Sequence, residues 1–375
     1  MEYRNLFFSF CLLSIFLNSS NALSQKLADK QATALTNSAY TSLFSVSKEG
    51  IMIGQQNATY KGVGWRGKKN KSDMRDLISK DPAVVGWDLG KLETGSKTNI
   101  DNIPFDTLAL YIKNVYLSGG INTISWHSNN PLDLSLPVKD QTIKKPLLTL
   151  FKDPEALKNY EKTLDIVAAF LAKLRTDDGQ AIPILFRPFH ENNGPWFWWG
   201  RNNGPEAYIK LWKHTVDYLR DKKGLHNLIY VYCTDKFISA DQYLSRYPVD
   251  DYVDVLGFDA YDSKQYHLNG DDLFKQKIKN MSDILSKIST EKNKPFALTE
   301  TGYKLMPKKD WWTETLYPAI KDSGMSYVLF WVNAGSSGYW GTYKGQISSE
   351  NFIKFSKQKD VLFQTEVSKQ RLYKK

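Results

Sequence analysis

Apolar segments of strand length recur along the chain and are separated by amphipathic segments. The eight apolar segments lie at residues 51–54, 83–88, 121–127, 182–186, 228–233, 253–259, 295–300 and 327–332. Continuous apolar runs of this kind are typical of parallel strands that are buried on both faces. The pattern therefore predicts a mainly parallel sheet that is covered by other elements.

The intervening segments have the periodicity of amphipathic helices. They lie at residues 28–50, 104–118, 153–175, 205–221, 272–289, 308–322 and 349–360. One of them begins at Asp153-Pro154, where an N-cap residue precedes a proline at the first helical position. Strands that alternate with helices predict an α/β protein with a (β/α)8 or TIM barrel. The first helix ends at Gly50 and is expected to cover the bottom of that barrel.

An open doubly wound sheet is the alternative fold, but the sequence lacks the glycine-rich phosphate loop that it would carry after an early strand. Residues 1–22 have the features of a secretory signal peptide, with Arg4, an apolar run at 6–17 and small residues before Ala22. The run is shorter than a membrane-spanning helix requires. We therefore expect a secreted protein, periplasmic or extracellular, in which residues 23–375 form a single domain.

Composition adds an excess of aromatic side chains. The 375 residues include 11 Trp and 21 Tyr, which favours exposed stacking surfaces beside the core. The formal net charge is +10, but the lysines are scattered, so a solvated surface is favoured over a nucleic-acid site. We expect a monomer without stable membrane insertion. Loss of Cys11 with the signal peptide would leave Cys233 without a disulfide partner, and its place in a strand favours core packing.

Two glutamates lie at the carboxyl ends of predicted strands on opposite sides of the barrel. Glu191 follows the fourth strand, and Glu300 ends the seventh. In this fold these strand ends form the mouth, where side chains from different strands converge. Paired carboxylates among flat aromatic rings favour glycoside hydrolysis, and a separation of about 5–5.5 Å would give retention of configuration. Either glutamate alone would be more typical of a solvated or salt-bridged side chain.

A ring of acids and imidazoles at a barrel mouth is also compatible with a metal site. The sequence, however, lacks an HExxH motif, a paired His-x-His and a Cys/His cluster. We therefore expect neither a metal nor a cofactor.

The acid role is assigned to Glu191, because a general acid needs a raised pKa. Trp196 and Trp198 would desolvate it, and Glu300 would supply a nearby negative charge. Once Glu300 carries a sugar that charge disappears, so Glu191 becomes acidic enough to act as the base toward water. Arg187 and His190 are expected to hold the carboxyl groups. A buried counter-ion inside the barrel is the alternative role for Arg187.

Tryptophans are candidates for stacking against the apolar face of a pyranose ring. A Gly-Pro turn is expected to aim Trp196 into the cleft, and Trp331 would form the floor of that cleft. Trp65, in the first loop, would serve a more distant sugar.

Other aromatic residues divide between the cleft and the core. His127 is expected to face the mouth, so its neighbour Trp126 should be buried. Trp198 and Trp199 remain undecided, with core packing expected for one of them.

These residues carry a resemblance to a known family. The segment RPFHENNGPWFWWG at 187–200 resembles the acid/base motif of glycoside hydrolase family twenty-six, which consists mostly of β-mannanases, and LTETG at 298–302 is similar to its nucleophile motif. The resemblance continues in GQQ at 54–56, GVGW at 62–65, PAVVGWDLG at 82–90, SWH at 125–127, GFDAY at 257–261 and FW at 330–331. It therefore extends from about residue 30 to residue 355.

The resemblance implies a retaining endo-hydrolase that cleaves β-1,4-mannosidic linkages in mannan, galactomannan or glucomannan. Glu191 would be the acid/base and Glu300 the nucleophile, and Tyr261 would hydrogen-bond the nucleophile. The side chains that line the subsites beside the scissile bond would be His127, His190, Trp196 and Trp331. Residues 23–375 would then be the glycoside hydrolase catalytic domain.

The sequence departs from the family at Gln55, where many members have histidine, in the basic loop 66–71 and in the Gly/Ser/Tyr-rich loop 334–345. These differences leave the subsite number open, so an exo-acting enzyme that releases mannobiose is an alternative. The same chemistry on β-1,3-xylan or mixed-linkage β-glucan is another, because stacking does not distinguish sugar epimers. A non-catalytic polysaccharide-binding protein would be expected to lack one of the two glutamates.

Overall fold

The computed structural model describes residues 26–270, 272–370 and 372–373, so the predicted signal peptide at 1–22 lies outside the described residues. Eight parallel strands close into a barrel, because the last strand pairs with the first. The barrel strands are β1 Ile51–Gln56, β2 Val84–Asp88, β3 Ile121–Trp126, β4 Ile184–Pro188, β5 Leu228–Thr234, β6 Val255–Asp262, β7 Phe296–Tyr303 and β8 Tyr327–Phe330. The predicted (β/α)8 barrel is therefore confirmed.

Helices surround the barrel. They are α1 Ala34–Ser47, α2 Asp73–Ile78, α3 Phe105–Leu117, α4 Pro146–Lys152, α5 Pro154–Ala172, α6 Pro205–Asp217, α7 Ala240–Leu244, α8 Leu273–Lys292, α9 Tyr317–Ile320, α10 Ser349–Phe355 and α11 Gln364–Lys369. In the part of the chain that the structure describes, none of these helices is both long enough and apolar enough to cross a bilayer.

Short turns of other helix types complete the set. Two π-helical turns, Tyr218–Lys222 and Trp312–Leu316, follow α6 and precede α9. The 3-10 turns are Leu92–Thr94, Arg201–Asn203, Asp250–Tyr252 and Lys264–Gly270. The helix expected over 308–322 is thus divided. Pro318, near the start of α9, lacks the N–H that a continuous helix would need there.

The first helix covers the bottom of the barrel, as predicted, although it is shorter than residues 28–50. It begins after Thr33, whose side chain accepts the backbone N–H of Thr36. Its buried face packs against residues at the amino-terminal ends of the strands, among them Met52 and Val255. The hydroxyl of Ser326 donates to the carbonyl of Leu43 at 3.2 Å and fixes the helix beneath β8.

The strands are buried almost throughout, so a second apolar layer lies between the barrel and the outer helices. Cys233 is buried in β5, and its sulfur lies 3.2 Å from the hydroxyl of Thr299. The predicted core position of this cysteine is confirmed. The barrel is therefore closed below by α1 and packed around its sides, which leaves the carboxyl ends of the strands as its open face.

Candidate active site

Glu191 and Glu300 both lie at the open face of the barrel. Glu191 follows the end of β4 by three residues, and Glu300 lies in the last half of β7. Two strands, β5 and β6, separate β4 from β7 on one side, and four separate them on the other. The two carboxyl groups are close enough for the negative charge of Glu300 to contribute to a raised pKa of Glu191.

A local irregularity in β7 positions Glu300. Phe258 of β6 pairs with Leu298, but the next residue, Asp259, pairs with Glu300, so Thr299 is an extra residue in β7. A bulge of this kind redirects side chains and is frequent beside active sites. As a result, both Thr299 and Glu300 contact polar groups inside the barrel, although adjacent residues in a regular strand face opposite sides.

Arg187 lies between two buried carboxylates. One guanidinium nitrogen donates to Oδ2 of Asp259 at 2.8 Å, and the other donates to Oε1 of Glu300. Asp259 also accepts the hydroxyl of Thr299 at 2.6 Å. All of these side chains are buried. Arg187 is therefore both a buried counter-ion and the residue that orients Glu300. The sequence had offered these two roles as alternatives.

Tyr261 completes the set of hydrogen bonds to Glu300. Its phenol donates to Oε2 of Glu300 at 2.6 Å, so each oxygen of that carboxylate accepts a hydrogen bond from a fixed donor. Asp259 and Tyr261 are two residues apart on β6 and therefore face the same side of the strand. Glu300 is thus held in one rotamer with a lone pair on each oxygen still available.

Glu191 lies in a turn with unusual backbone geometry. Phe189 has φ +52° and Glu191 has φ +50°, in the left-handed region that residues other than glycine rarely adopt. The side chain of Asn192 donates to the carbonyl of Cys233 at 2.7 Å, and that of Asn193 donates to the carbonyl of Lys236 at 2.9 Å. These bonds attach the turn to the end of β5 and stabilise its strained conformation.

Trp196 contacts the carboxyl group of Glu191 directly. Its indole N–H donates to Oε2 of Glu191 at 2.6 Å, and the ring is half-buried. The ring folds back over Gly194, where a Cβ atom would lie 2.4 Å from it, so the close approach requires glycine. Trp196 therefore lies beside Glu191 at the open face of the barrel, and its role in a substrate cleft remains a prediction.

The electrostatic surroundings of Glu191 suit a general acid. Burial raises its pKa most strongly, and the negative charges of Asp259, Glu300 and Asp235 raise it further. The hydrogen bond from Trp196 lowers the pKa, but not enough to cancel these effects. The net result is a pKa well above the ordinary value, so the carboxyl group retains its proton to a higher pH than an exposed glutamate does.

His127, at the end of β3, is hydrogen-bonded to an acidic side chain. Its Nδ1 lies 2.7 Å from Oδ2 of Asp88, which also accepts the hydroxyl of Ser125 at 2.6 Å. Burial alone would lower the pKa of His127, but the charge and hydrogen bond of Asp88 outweigh this effect, and the net pKa is raised. The imidazole ring lies 6.0 Å from the ring of Trp331 and 4.5 Å from that of His190.

The pKa of His190 shifts in the opposite direction from that of His127. Burial lowers its pKa most, and the nearby cations Arg187, His127 and Lys139 lower it further, so the imidazole is neutral near pH 7. Its Nδ1 is buried and has no hydrogen-bond partner among the described residues. A polar ligand in the cleft would satisfy such an atom.

The tryptophans divide between the cleft and the core. Trp331 is half-buried beside His127, whereas Trp126, Trp198 and Trp199 are fully buried. Burial of both Trp198 and Trp199 settles the question that the sequence left open. Trp65 is only 9% exposed, and its indole N–H donates to Asp73 at 2.7 Å. Little of its ring is free to stack on a sugar, so its role at a distant subsite remains a prediction.

Three further residues contribute to the site without having been singled out. In the sequence, Asp259 and Asp88 are recognisable only as acids at strand ends. What could have identified them is that a buried Arg187 and a buried His127 each need an acidic partner. Trp340, whose ring lies 5.1 Å from that of Tyr261, lies in a loop without periodicity, and no sequence pattern identifies it. Gln55, which stands where many family members have histidine, is buried. Its side-chain amide lies 3.5 Å from the carbonyl of Trp331.

One cluster has the composition of a metal site. A ring nitrogen of His190 and carboxylate oxygens of Asp259 and Glu300 lie within 4.8 Å of one another. Arg187 donates to both carboxylates, so its guanidinium already supplies the positive charge that a metal ion would bring. A site that works without a metal remains our prediction.

Comparison with known proteins gives matches to a single family of glycosyl hydrolases. Residues 28–311 match the model of glycosyl hydrolase family 26. A mannan endo-1,4-β-mannosidase of Bifidobacterium adolescentis is 32% identical over 361 residues, covering 90% of this chain and 35% of that protein. A protein of the same name from Bacillus subtilis strain 168 is 34% identical over 250 residues, covering 61% of this chain and 60% of that protein. The chain thus spans between a third and three fifths of these relatives.

A solved structure matches over a larger share of both chains. A family 26 β-mannanase from Bacteroides ovatus superimposes with a TM-score of 0.85 and 36% identity, covering 92% of this chain and 98% of that one. The family match spans most of the chain, and the barrel has the same architecture. The protein therefore belongs to glycosyl hydrolase family 26.

Proposed function

We propose that the protein is a retaining endo-hydrolase of β-1,4-mannosidic linkages in mannan, galactomannan or glucomannan. The observation that carries this proposal is the contrast between the two glutamates. Glu300 accepts hydrogen bonds from Arg187 and Tyr261 on its two oxygens. Glu191 is half-buried, has a raised pKa and accepts one hydrogen bond from Trp196. The first environment suits a carboxylate nucleophile and the second a carboxylic acid.

In the first step, an oxygen of Glu300 attacks the anomeric carbon while Glu191 donates its proton to the glycosidic oxygen. The bond to the leaving sugar breaks, and a glycosyl ester of Glu300 forms. Arg187 and Tyr261 keep the attacking carboxylate oriented, which reduces the entropic cost of reaching the transition state.

In the second step, Glu191 takes a proton from water, and the water oxygen attacks the anomeric carbon and releases Glu300. The change in role follows from charge. Esterification removes the negative charge of Glu300, one of the causes of the raised pKa of Glu191. Glu191 then loses its proton more readily and becomes a base. Two displacements at one carbon restore the original configuration.

The choice of mannan rests on the relatives. The two similar proteins from Bifidobacterium and Bacillus are named mannan endo-1,4-β-mannosidases, and the matching structure is that of a β-mannanase. We further propose that residues 1–22 direct secretion, that the protein is a monomer, and that it meets its polysaccharide outside the cytoplasm.

The test is to incubate residues 23–375 with galactomannan, β-1,3-xylan and lichenan and to size the products over time. We expect galactomannan to yield a broad range of oligosaccharides at the earliest time points, and NMR of the first product to show a β-anomer. Release of mannobiose alone would instead select exo-action. Release of sugar from xylan or lichenan, with mannan left intact, would contradict the assignment of mannan as the substrate. An initial α-anomer would overturn the mechanism.

A further inference from the structure

A tryptophan packs against the tyrosine that donates a hydrogen bond to the proposed nucleophile. Trp340 is half-buried in the loop after β8, and its ring meets the ring of Tyr261 edge-on, at 5.1 Å and 62° between planes. The same Tyr261 donates to Glu300. Trp196, on the other side of the site, bonds to Glu191. Glu191 is therefore bonded directly to a half-buried tryptophan, and Glu300 is linked to another through Tyr261.

The backbone at Trp340 approaches β7 very closely. A Cβ atom on Gly302, two residues after Glu300, would lie 2.6 Å from the carbonyl oxygen of Trp340 and 2.8 Å from its Cβ. Gly302 also has φ +143°, a conformation that side chains with a Cβ rarely adopt. The loop after β8 therefore packs closely against β7, the strand that contains the proposed nucleophile.

Asn333 fixes this part of the loop. Its side-chain oxygen accepts the backbone N–H groups of Trp340 and Gly341 at 3.1 and 3.0 Å. Its amide donates to Oδ2 of the buried Asp73 at 2.8 Å. Asp73, at the start of α2, also accepts the indole of Trp65 and the backbone N–H of Val63. One buried pair, Asn333 with Asp73, therefore joins the loops after β1 and β8.

We propose that Trp340 is a sugar-stacking residue for the glycone, the part of the substrate that becomes attached to Glu300, and that Asn333 is its positioning residue. The inference rests on the proposed function. Glu191 protonates the leaving oxygen, so the leaving sugar lies on the Trp196 side and the glycone lies on the side of Glu300, Tyr261 and Trp340. The bonds from Asn333 fix the backbone at Trp340, and the contact with Tyr261 restricts its ring, so the indole loses little conformational freedom on binding. The face of an indole suits the C–H face of a pyranose.

The test measures binding without turnover. Mannopentaose is titrated by calorimetry into Glu300→Ala protein that carries a second substitution. We expect Trp340→Ala to weaken binding about tenfold and Trp340→Phe to weaken it less, because a smaller ring remains. Tyr339→Ala is the matched control, since that neighbouring ring meets Tyr343 rather than Tyr261, and its affinity should stay within about twofold.

The positioning role predicts a non-additive result. Asn333→Ala should weaken binding about as much as Trp340→Ala, and the combination of the two should add little, because the second change acts through the first. In protein with Glu300 intact, Trp340→Ala should raise KM for mannan about tenfold and leave kcat nearly unchanged, since stacking contributes equally before and in the transition state.

Unchanged affinity in the Trp340→Ala variant would overturn the inference, as would a loss of kcat at constant KM. Full additivity of Asn333→Ala and Trp340→Ala would overturn the positioning role. Failure of the proposed function has a different signature: the unsubstituted enzyme would leave mannan intact and cleave xylan or lichenan. The same titrations with the oligosaccharide that is cleaved would then decide the role of Trp340.

Discussion

The guanidinium of Arg187 donates a hydrogen bond to the carboxylate of Glu300, which lies 113 residues later in the chain. The same guanidinium contacts Asp259, so a single buried cation is shared by two buried carboxyl groups. Removal of the cation would leave both carboxylates without a counter-ion in a site from which water is largely excluded. The consequence extends to both stability and catalysis.

Replacement of Arg187 by methionine should lower the free energy of unfolding by about 3–5 kcal/mol, the typical result of breaking a buried ion pair on one side. Urea denaturation followed by circular dichroism measures this change. Arg75→Met is the matched control, because its pair with Asp81 is more exposed and such pairs contribute about 0–1 kcal/mol. Equal effects of the two substitutions would contradict the assigned role of Arg187.

Replacement of Tyr261 by phenylalanine removes one of the two donors to Glu300 and leaves the ring in place. A hydrogen bond to a charged group contributes about 1.5–3 kcal/mol, so kcat on mannan should fall about 10- to 150-fold. KM should change much less. Tyr303→Phe, on the same end of β7, is the control. A Tyr261→Phe enzyme with full kcat would show that this bond does not support the nucleophile.

Glu191→Ala should reduce hydrolysis of mannan by about 10²- to 10⁴-fold through loss of the acid. Added azide should restore turnover of a substrate with a good leaving group, because the small anion can attack the ester of Glu300 without a base. The expected product is a β-glycosyl azide, identified by NMR. An α-azide, or rescue in Glu300→Ala instead with retained configuration, would reverse the assignment of the two glutamates.

Trp196→Phe should shift the high-pH limb of the kcat/KM profile to higher pH. Burial and the surrounding anions raise the pKa of Glu191, and the indole hydrogen bond opposes them. Loss of that bond therefore raises the pKa further, and the acid stays protonated at higher pH. Tyr339→Phe should leave the limb in place. A downward shift in Trp196→Phe would contradict the sign of this interaction.

Asp254 gives a pH-dependent contribution to stability. This buried carboxylate accepts the backbone N–H groups of Ala28 and Tyr230 at 2.6 and 2.7 Å, yet burial raises its pKa to about 6. The native state therefore binds a proton more tightly than the unfolded chain does. Stability due to this group is greatest below the unfolded pKa of 3.8 and falls by about 3 kcal/mol as pH rises through 6.

The measurement is the difference in free energy of unfolding between the unsubstituted protein and Asp254→Asn, from pH 4 to pH 7. The advantage of the unsubstituted protein should decrease as pH rises, because the other titrating groups cancel in the difference. Asp251→Asn, at an exposed neighbouring position, serves as the control. A difference that is constant with pH would exclude the predicted shift.

The barrel and the positions of Glu191 and Glu300 could be predicted because their signals are local. Each strand is a continuous apolar run, Glu191 follows one of them by three residues, and Glu300 lies in the last half of another. The partners of these residues could not be predicted in the same way. Arg187 meets Asp259 only because β4 and β6 converge at the mouth, and the extra residue Thr299 that aims Glu300 depends on strand register.

The left-handed backbone conformation of Glu191 could not be predicted from the sequence either. It is stabilised by hydrogen bonds from the neighbouring asparagines to the end of β5 and not by a preference of glutamate itself. Trp340 was missed for a similar reason. Its loop lacks periodicity, and its position depends on Asn333 and Asp73, which are 260 residues apart. Contacts between distant loops decide such details.

The apolar cluster beneath the strands also determines from which face of the barrel the protein can be joined to a support or to a second domain. Leu27 and Leu372, close to the two ends of the described residues, both pack into the cluster beneath the strands. The hydroxyls of Ser38 and Ser42 donate to the carbonyl of Leu372 and keep the two ends together. A linker to a bead, a cell surface or a second module that is joined next to Leu27 or Leu372 would therefore start on the face opposite the open end of the barrel.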